Sequence, residues 1–165
     1  RASLAASTGL MVPSFVQATV VDNQDAEPID MVIVKEFVLK SHNDFPRVQA
    51  LLTEYPHLLN ATVDWKDGDF ESSIGAMAHM GYLDQVKFML EKGARFDIFV
   101  LALLGQTALV KSLIDFYPQA LHAIGPHGFT LLHHAKKGGE PAQELYELKK
   151  KKGLKEEFIK TFKDK

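Results

Sequence analysis

A chain of 165 residues, 46% hydrophobic and 24% charged, has the composition of one globular domain with room for a core. Its formal net charge of −2 argues against a chain that as a whole binds nucleic acid. The absence of cysteine excludes disulfides, thiolate metal ligands and cysteine nucleophiles.

Residues 1–18 open with Arg1 and run without an acid through small and apolar side chains to Val16-Gln17-Ala18. That small-x-Ala ending suits signal peptidase, and Arg1-Ala2-Ser3-Leu4 resembles the latter half of a twin-arginine export motif. The expectation is an exported chain, periplasmic or secreted, cleaved near Ala18. The alternative is the N-terminal helix of a cytoplasmic protein. The stretch is too short and too poor in bulky residues for a comfortable membrane span. Residues 19–29 (TVVDNQDAEPI) are polar and contain a proline, as a linker would.

From about residue 30 helical periodicity takes over. MVIVKEFVLKS and DFPRVQALLTEYP read as one pair of short helices, SIGAMAHMG and YLDQVKFMLEKG as a second. FVLALLG and QTALVKSLIDFYP form a third pair, TLLHHAKKG and EPAQELYELKKK a fourth. No convincing strand alternation accompanies them. Aligned on the residue between paired helices (Asn43, Gly81, Gly105, Gly139), the pairs repeat at steps of 38, 24 and 34 residues. One helix pair cannot bury its apolar face alone, whereas stacked pairs share a continuous core. The fold class expected is all-α, with units at about 30–63, 64–94, 95–124 and 125–148.

The segment GPHGFTLLHHAKKGG, residues 125–139, resembles the ankyrin-repeat pattern. Gly128, Thr130, Leu132, His133, Ala135 and Gly139 fall at its offsets, with Leu131 where the family usually has proline. GYLDQVKFMLEKGA, from Gly81 through Gly93 to Ala94, resembles the second half of the unit. The likeness covers about residues 30–148, strongly in two units and loosely in two. Unit three departs from it, because Gly93-Ala94 runs almost directly into Asp97, a capping residue, with no finger turn between. The resemblance implies an ankyrin-type solenoid of about four repeats that recognises a protein partner without catalysis. The variable family positions map onto Asp69, Glu71, His79 and Met80 in unit two and Leu103 and Leu104 in unit three. Unit four supplies His127, Phe129, His134 and Lys137. These are the expected groove and finger contacts.

Candidate chemistry is sparse on this reading. His133 is the structural histidine of the pattern: Thr130 caps the helix start and the imidazole ties down a neighbouring turn. Neighbouring helical residues point about 100° apart, so His133 and His134 do not readily chelate one ion, and no HExxH spacing exists. His42, His57, His79, His122 and His127 are scattered. His42, His79 and His134 have the placement to line up across stacked units and give pH sensitivity, against a plainer solvated or capping role. DWKDGDFE, residues 64–71, fails as a calcium loop, because the third position is Lys66 and the twelfth Gly75. It reads instead as a finger turn shaped by Asp67 and Gly68, its acids exposed to a partner. Trp65 within it is either a cover between units or a partner anchor. Ser72 and Ser73 read as helix caps. No metal, cofactor or nucleic-acid partner is expected, and the chain is expected to be a monomer.

Residues 149–165 hold eight lysines against three acids, leaving the rest of the chain near −7. Leu154, Phe158, Ile159 and Phe162 make an apolar stripe there. The segment reads as a capping helix for the last unit, or as a basic amphipathic helix for a membrane surface or polyanion.

Overall fold

The computed structural model describes residues 27–151. The export segment, most of the linker and the C-terminal apolar stripe lie outside the described residues.

Each sequence-predicted helix has its counterpart, and the side chains at the starts explain why. The helix α1 (Met31–Lys40) follows Asp30, whose carboxylate accepts the Val32 N–H at 2.8 Å. Asp44 caps α2 (Phe45–Glu54) through the Arg47 N–H. Ser72 caps α3 (Ser73–Met80) through Gly75, and Asp97 caps α5 (Ile98–Leu103) through both Phe99 and Val100. Thr130 caps α7 (Leu131–Lys137), its hydroxyl accepting the His133 N–H at 3.3 Å. These side chains satisfy amide donors that have no partner inside their helix. By contrast α4 (Leu83–Glu91) and α6 (Thr107–Phe116) have no side-chain cap. They follow tight turns at Gly81 and Gly105, which hold φ of +86° and +66°. Gly93 and Gly139 also sit at positive φ, at the ends of α4 and α7, and α8 (Gln143–Lys151) closes the described chain.

The helices pack as four consecutive pairs, α1 with α2 through α7 with α8. The first helix of each pair stacks on the next in the series α1, α3, α5, α7. The third pair is drawn in closely. A Cβ on Gly105 would lie 1.8 Å from the Pro141 carbonyl oxygen, and one on Gly138 would lie 2.1 Å from that of Leu103. Only glycine permits backbones to meet at that distance. The short α5, IFVLAL, is buried almost all round, as an apolar helix without a polar face must be. Val100 and Leu103 join the core with Phe37, Leu51 and Met77, while Phe99 and Ala102 join Val110, Leu131 and Leu145.

The expectation of no strands is corrected. Strands β1 (Thr62–Asp64) and β2 (Phe70–Ser72) form an antiparallel hairpin in which Val63 faces Glu71. At its tip Asp67 and Gly68 take φ of +54° and +87°, the left-handed conformations a tight hairpin turn requires. Alternation is unreadable over three residues. Here it is further disguised, because the buried position of β2 carries a carboxylate.

Unit three has no such finger: Ala94 to Asp97 cross directly, with the Arg95 N–H held by Asn60 Oδ1 at 2.7 Å. Unit four has a shorter finger, pinned by a bridge between Ile124 and Thr130 and turned at His127, with φ of +56°. With none between them, the fingers of units two and four meet, and α3 also touches α7.

Candidate functional site

The meeting of the two fingers builds the site. From finger two, Asp69 accepts the His127 backbone N–H at 2.8 Å and its Nδ1–H at 2.7 Å. These two hydrogen bonds turn the imidazole so that Nε2 lies 3.3 Å from Glu71 Oε2. Trp65 on the same finger donates its Nε1–H to that oxygen at 2.5 Å. The other carboxylate oxygen, Oε1, lies 2.8 Å from His79 Nε2 and 3.5 Å from His42 Nε2. His79 sits in the last turn of α3, and His42 lies just beyond α1, with its Nδ1–H shared between the Val38 and Leu39 carbonyls. His42 Nε2 and His79 Nε2 are 3.2 Å apart. Four side chains from units one, two and four therefore converge on one point.

Glu71 is fully buried and His79 nearly so, while His42 and His127 close the edge with about a fifth to a quarter of their side chains exposed. Burial works against a charge on Glu71, but hydrogen bonds from His127, His42 and His79 outweigh it and hold the carboxyl far below the usual range. Burial likewise opposes a charge on His42, yet the Glu71 carboxylate and the two carbonyls raise its affinity for a proton. His127 is raised chiefly by Glu71, against burial, with Asp69 adding to it. His79 goes the other way: desolvation dominates and lowers it. The cluster thus holds a buried anion balanced by imidazoles at its rim.

Several sequence expectations change here. Glu71, His79, Leu103 and His134 were assigned to a groove or finger surface, but all four are buried. Glu71 and His79 serve the cluster, and Leu103 is core. His134 turns inward against Phe99, its Nδ1–H on the Thr130 carbonyl, and burial lowers its pKa to about 3. The stripe of His42, His79 and His134 is therefore corrected: the first two meet, and His127 takes the third place. His79 is buried and not a capping residue, whereas His42 does cap the end of α1 through the Val38 and Leu39 carbonyls. Among the finger acids, Asp64 and Asp67 are exposed, but Asp69 is engaged with His127. Phe129 is half-buried, stacked between the rings of His79 and His133. Met80 and Leu104 remain half-exposed and Lys137 exposed, its side chain beside Gly81.

His133 donates Nε2–H to the His79 carbonyl at 2.8 Å, tying α7 to the end of α3, and Leu132, Ala135 and Gly128 are buried around it. Trp65 is a hydrogen-bond donor to the cluster as well as a partial cover. His42 falls outside the expected contacts and enters the sequence reading only through the stripe with His79. The usable signals were the missing finger of unit three, which brings His127 to finger two, and an acid at the inward position of a hairpin.

No family model, curated protein or solved structure matches this chain.

Proposed function

We propose that this chain is a non-catalytic recognition module, an ankyrin-type solenoid of about four helix pairs that binds a protein partner on surfaces formed before the partner arrives. The local devices support the solenoid reading: a hydroxyl cap at Thr130, the His133 tie from unit four to unit two, and left-handed glycines between or after helices. A rigid stack of this kind loses little ordering entropy on docking. Export to the periplasm or beyond, with cleavage near Ala18, belongs to the same proposal. No helix among the described residues is long and apolar enough to cross a membrane.

One observation carries the partner-binding reading. Leu109, Leu113, Phe116 and Tyr117 occupy one stripe of α6 and its end, and all four are exposed, Phe116 by 87%. The spacing of four and three places Leu109, Leu113 and Phe116 on successive turns of one face, with Tyr117 just past the helix end. A contiguous run of large apolar side chains in water is the usual mark of an interaction surface. The surface proposed is therefore this outer face of α6, while Met80, Leu104 and Lys137, at the ends of α3, α5 and α7, are what stays exposed of the expected groove.

The test is a photo-crosslinking side chain at position 116, with position 87 on α4 as the control, activated in the source cells. Adducts with another protein at 116 alone, lost when Leu113 is changed to Asp, are expected. Equal labelling at both positions, or none at 116, would remove the surface from consideration.

A further inference from the structure

The His42, Glu71, His79 and His127 donor atoms all lie within 4.8 Å of one another. We propose that these four side chains bind one divalent transition-metal ion, zinc, in a tetrahedral site that fastens the finger of unit two to the finger of unit four and to the end of α1. The proposal stands apart from partner recognition and does not depend on it.

The separations are those of a coordination shell. Zinc bonds imidazole nitrogen and carboxylate oxygen at about 2.0–2.1 Å, so neighbouring ligands of a tetrahedron are about 3.3 Å apart. The spacings here are 2.8 Å for His79 to Glu71, 3.2 Å for His42 to His79, 3.3 Å for His127 to Glu71 and 3.5 Å for His42 to Glu71. His127 faces Oε2 while His79 and His42 face Oε1, and the donor atoms span up to 4.8 Å, so an ion enters as the set contracts by about an ångström.

The proton positions point the same way. A carbonyl or carboxylate oxygen only accepts, so Nδ1 of His42, facing two carbonyls, and Nδ1 of His127, facing Asp69, each carry a hydrogen. In a neutral ring that leaves Nε2 as a lone pair aimed inward, at a carboxylate that also offers only lone pairs. Such a meeting is repulsive unless positive charge lies between. Two imidazolium protons supply it, and so does one divalent ion. Asp69 and the main-chain carbonyls accept these Nδ1 hydrogens and so fix the rings with Nε2 facing inward, as the outer partners of metal-binding histidines do. In the metal-free chain His79 gives its Nε2–H to Glu71 Oε1 at 2.8 Å, so an ion bound at Nε2 moves that ring's hydrogen to Nδ1, which is buried without a hydrogen-bond partner among the described residues.

The donor set selects the ion. Three imidazoles and one carboxylate suit zinc and its neighbours, whereas magnesium and calcium take oxygen ligands. Glu71 is sealed from water, and the partly exposed His42 and His127 leave the way in. Four protein ligands with no position left for water describe a structural site.

The 165-residue chain, stripped with chelator and dialysed, is titrated with zinc by calorimetry and with cobalt(II) by visible absorption. One ion per chain, the intense bands of tetrahedral cobalt and a raised melting temperature are expected. His42→Gln and His127→Gln, at the rim, each lower affinity by at least about tenfold. His122→Gln, exposed and outside the cluster, leaves it unchanged. Should His127→Gln fail to fold by circular dichroism, His42→Gln alone decides the point. A stripped chain that takes up neither ion, octahedral cobalt bands, or rim variants that bind as well as the parent would overturn the site.

Discussion

His127 and Asp69 stand 58 positions apart in sequence, yet they share two hydrogen bonds, at 2.8 and 2.7 Å, between the tips of two finger turns. The contact follows from a deletion. Unit three has no finger, so the fingers on either side of it meet and enclose Glu71 with three imidazoles.

The metal-free cluster gives the chain a pH-dependent stability. His42 and His127 have raised proton affinity, so their contribution is complete below the ordinary imidazole value of about 6.5 and is lost as pH rises through their folded values. Glu71 is lowered, so its contribution is present above the usual carboxylate range and lost only on strong acidification. Urea titrations of chelator-treated protein at a series of pH values above 6.5 will show the decline. His127→Gln will flatten it.

His134 acts in the opposite sense. Desolvation lowers it to about 3, so the folded chain keeps it neutral while the unfolded chain protonates it below about 6.5. Stability therefore falls as pH drops from about 6.5 toward 3. His134→Leu would not titrate, and its stability profile over that window will be shallower than the parent's, by the same urea titrations.

Glycine positions separate close approach from mere conformation. At Gly105 an added Cβ collides with the Pro141 carbonyl, so Gly105→Ala will cost more than about 3 kcal/mol or prevent folding. Gly93 also has positive φ, but an added Cβ meets nothing within 4 Å. Gly93→Ala will cost only about 1–2 kcal/mol, the strain of a left-handed alanine. Denaturation midpoints of the two variants measure the contrast.

Asp97 starts α5 without a preceding finger and caps two amides, at 2.9 and 3.0 Å. Asp97→Ala will lose about 1–2 kcal/mol of stability by chemical denaturation. Asp97→Asn, which keeps an accepting oxygen, will recover most of it.

The helices were legible because each start or stop carries its own signal. Asp44, Ser72, Asp97 and Thr130 cap where capping residues are expected, and Gly81 and Gly105 turn where glycines divide the pairs. The Asp67-Gly68 turn was equally plain, though the strands beside it were not, since three residues cannot show a period. The cluster was hidden for a different reason. Glu71, His79 and His127 were singled out as surface because family positions say only which residues vary, not which way a side chain turns once a finger is missing. His42 has no motif around it. Aligning the units sets it beside His79, but the contact of both rings with Glu71 depends on the hairpin turning an acid inward, which no local pattern encodes.

The docking of the two fingers is measured most directly by a double-mutant cycle on Asp69 and His127, with chelator present so that bound metal does not enter. Asp69→Asn, His127→Gln and the double variant are compared with the parent by denaturant unfolding at pH 6. A coupling of about 1–3 kcal/mol is expected, as befits a buried-edge, charge-assisted pair. Additive effects, with coupling below about 0.3 kcal/mol, would mean that the fingers do not meet.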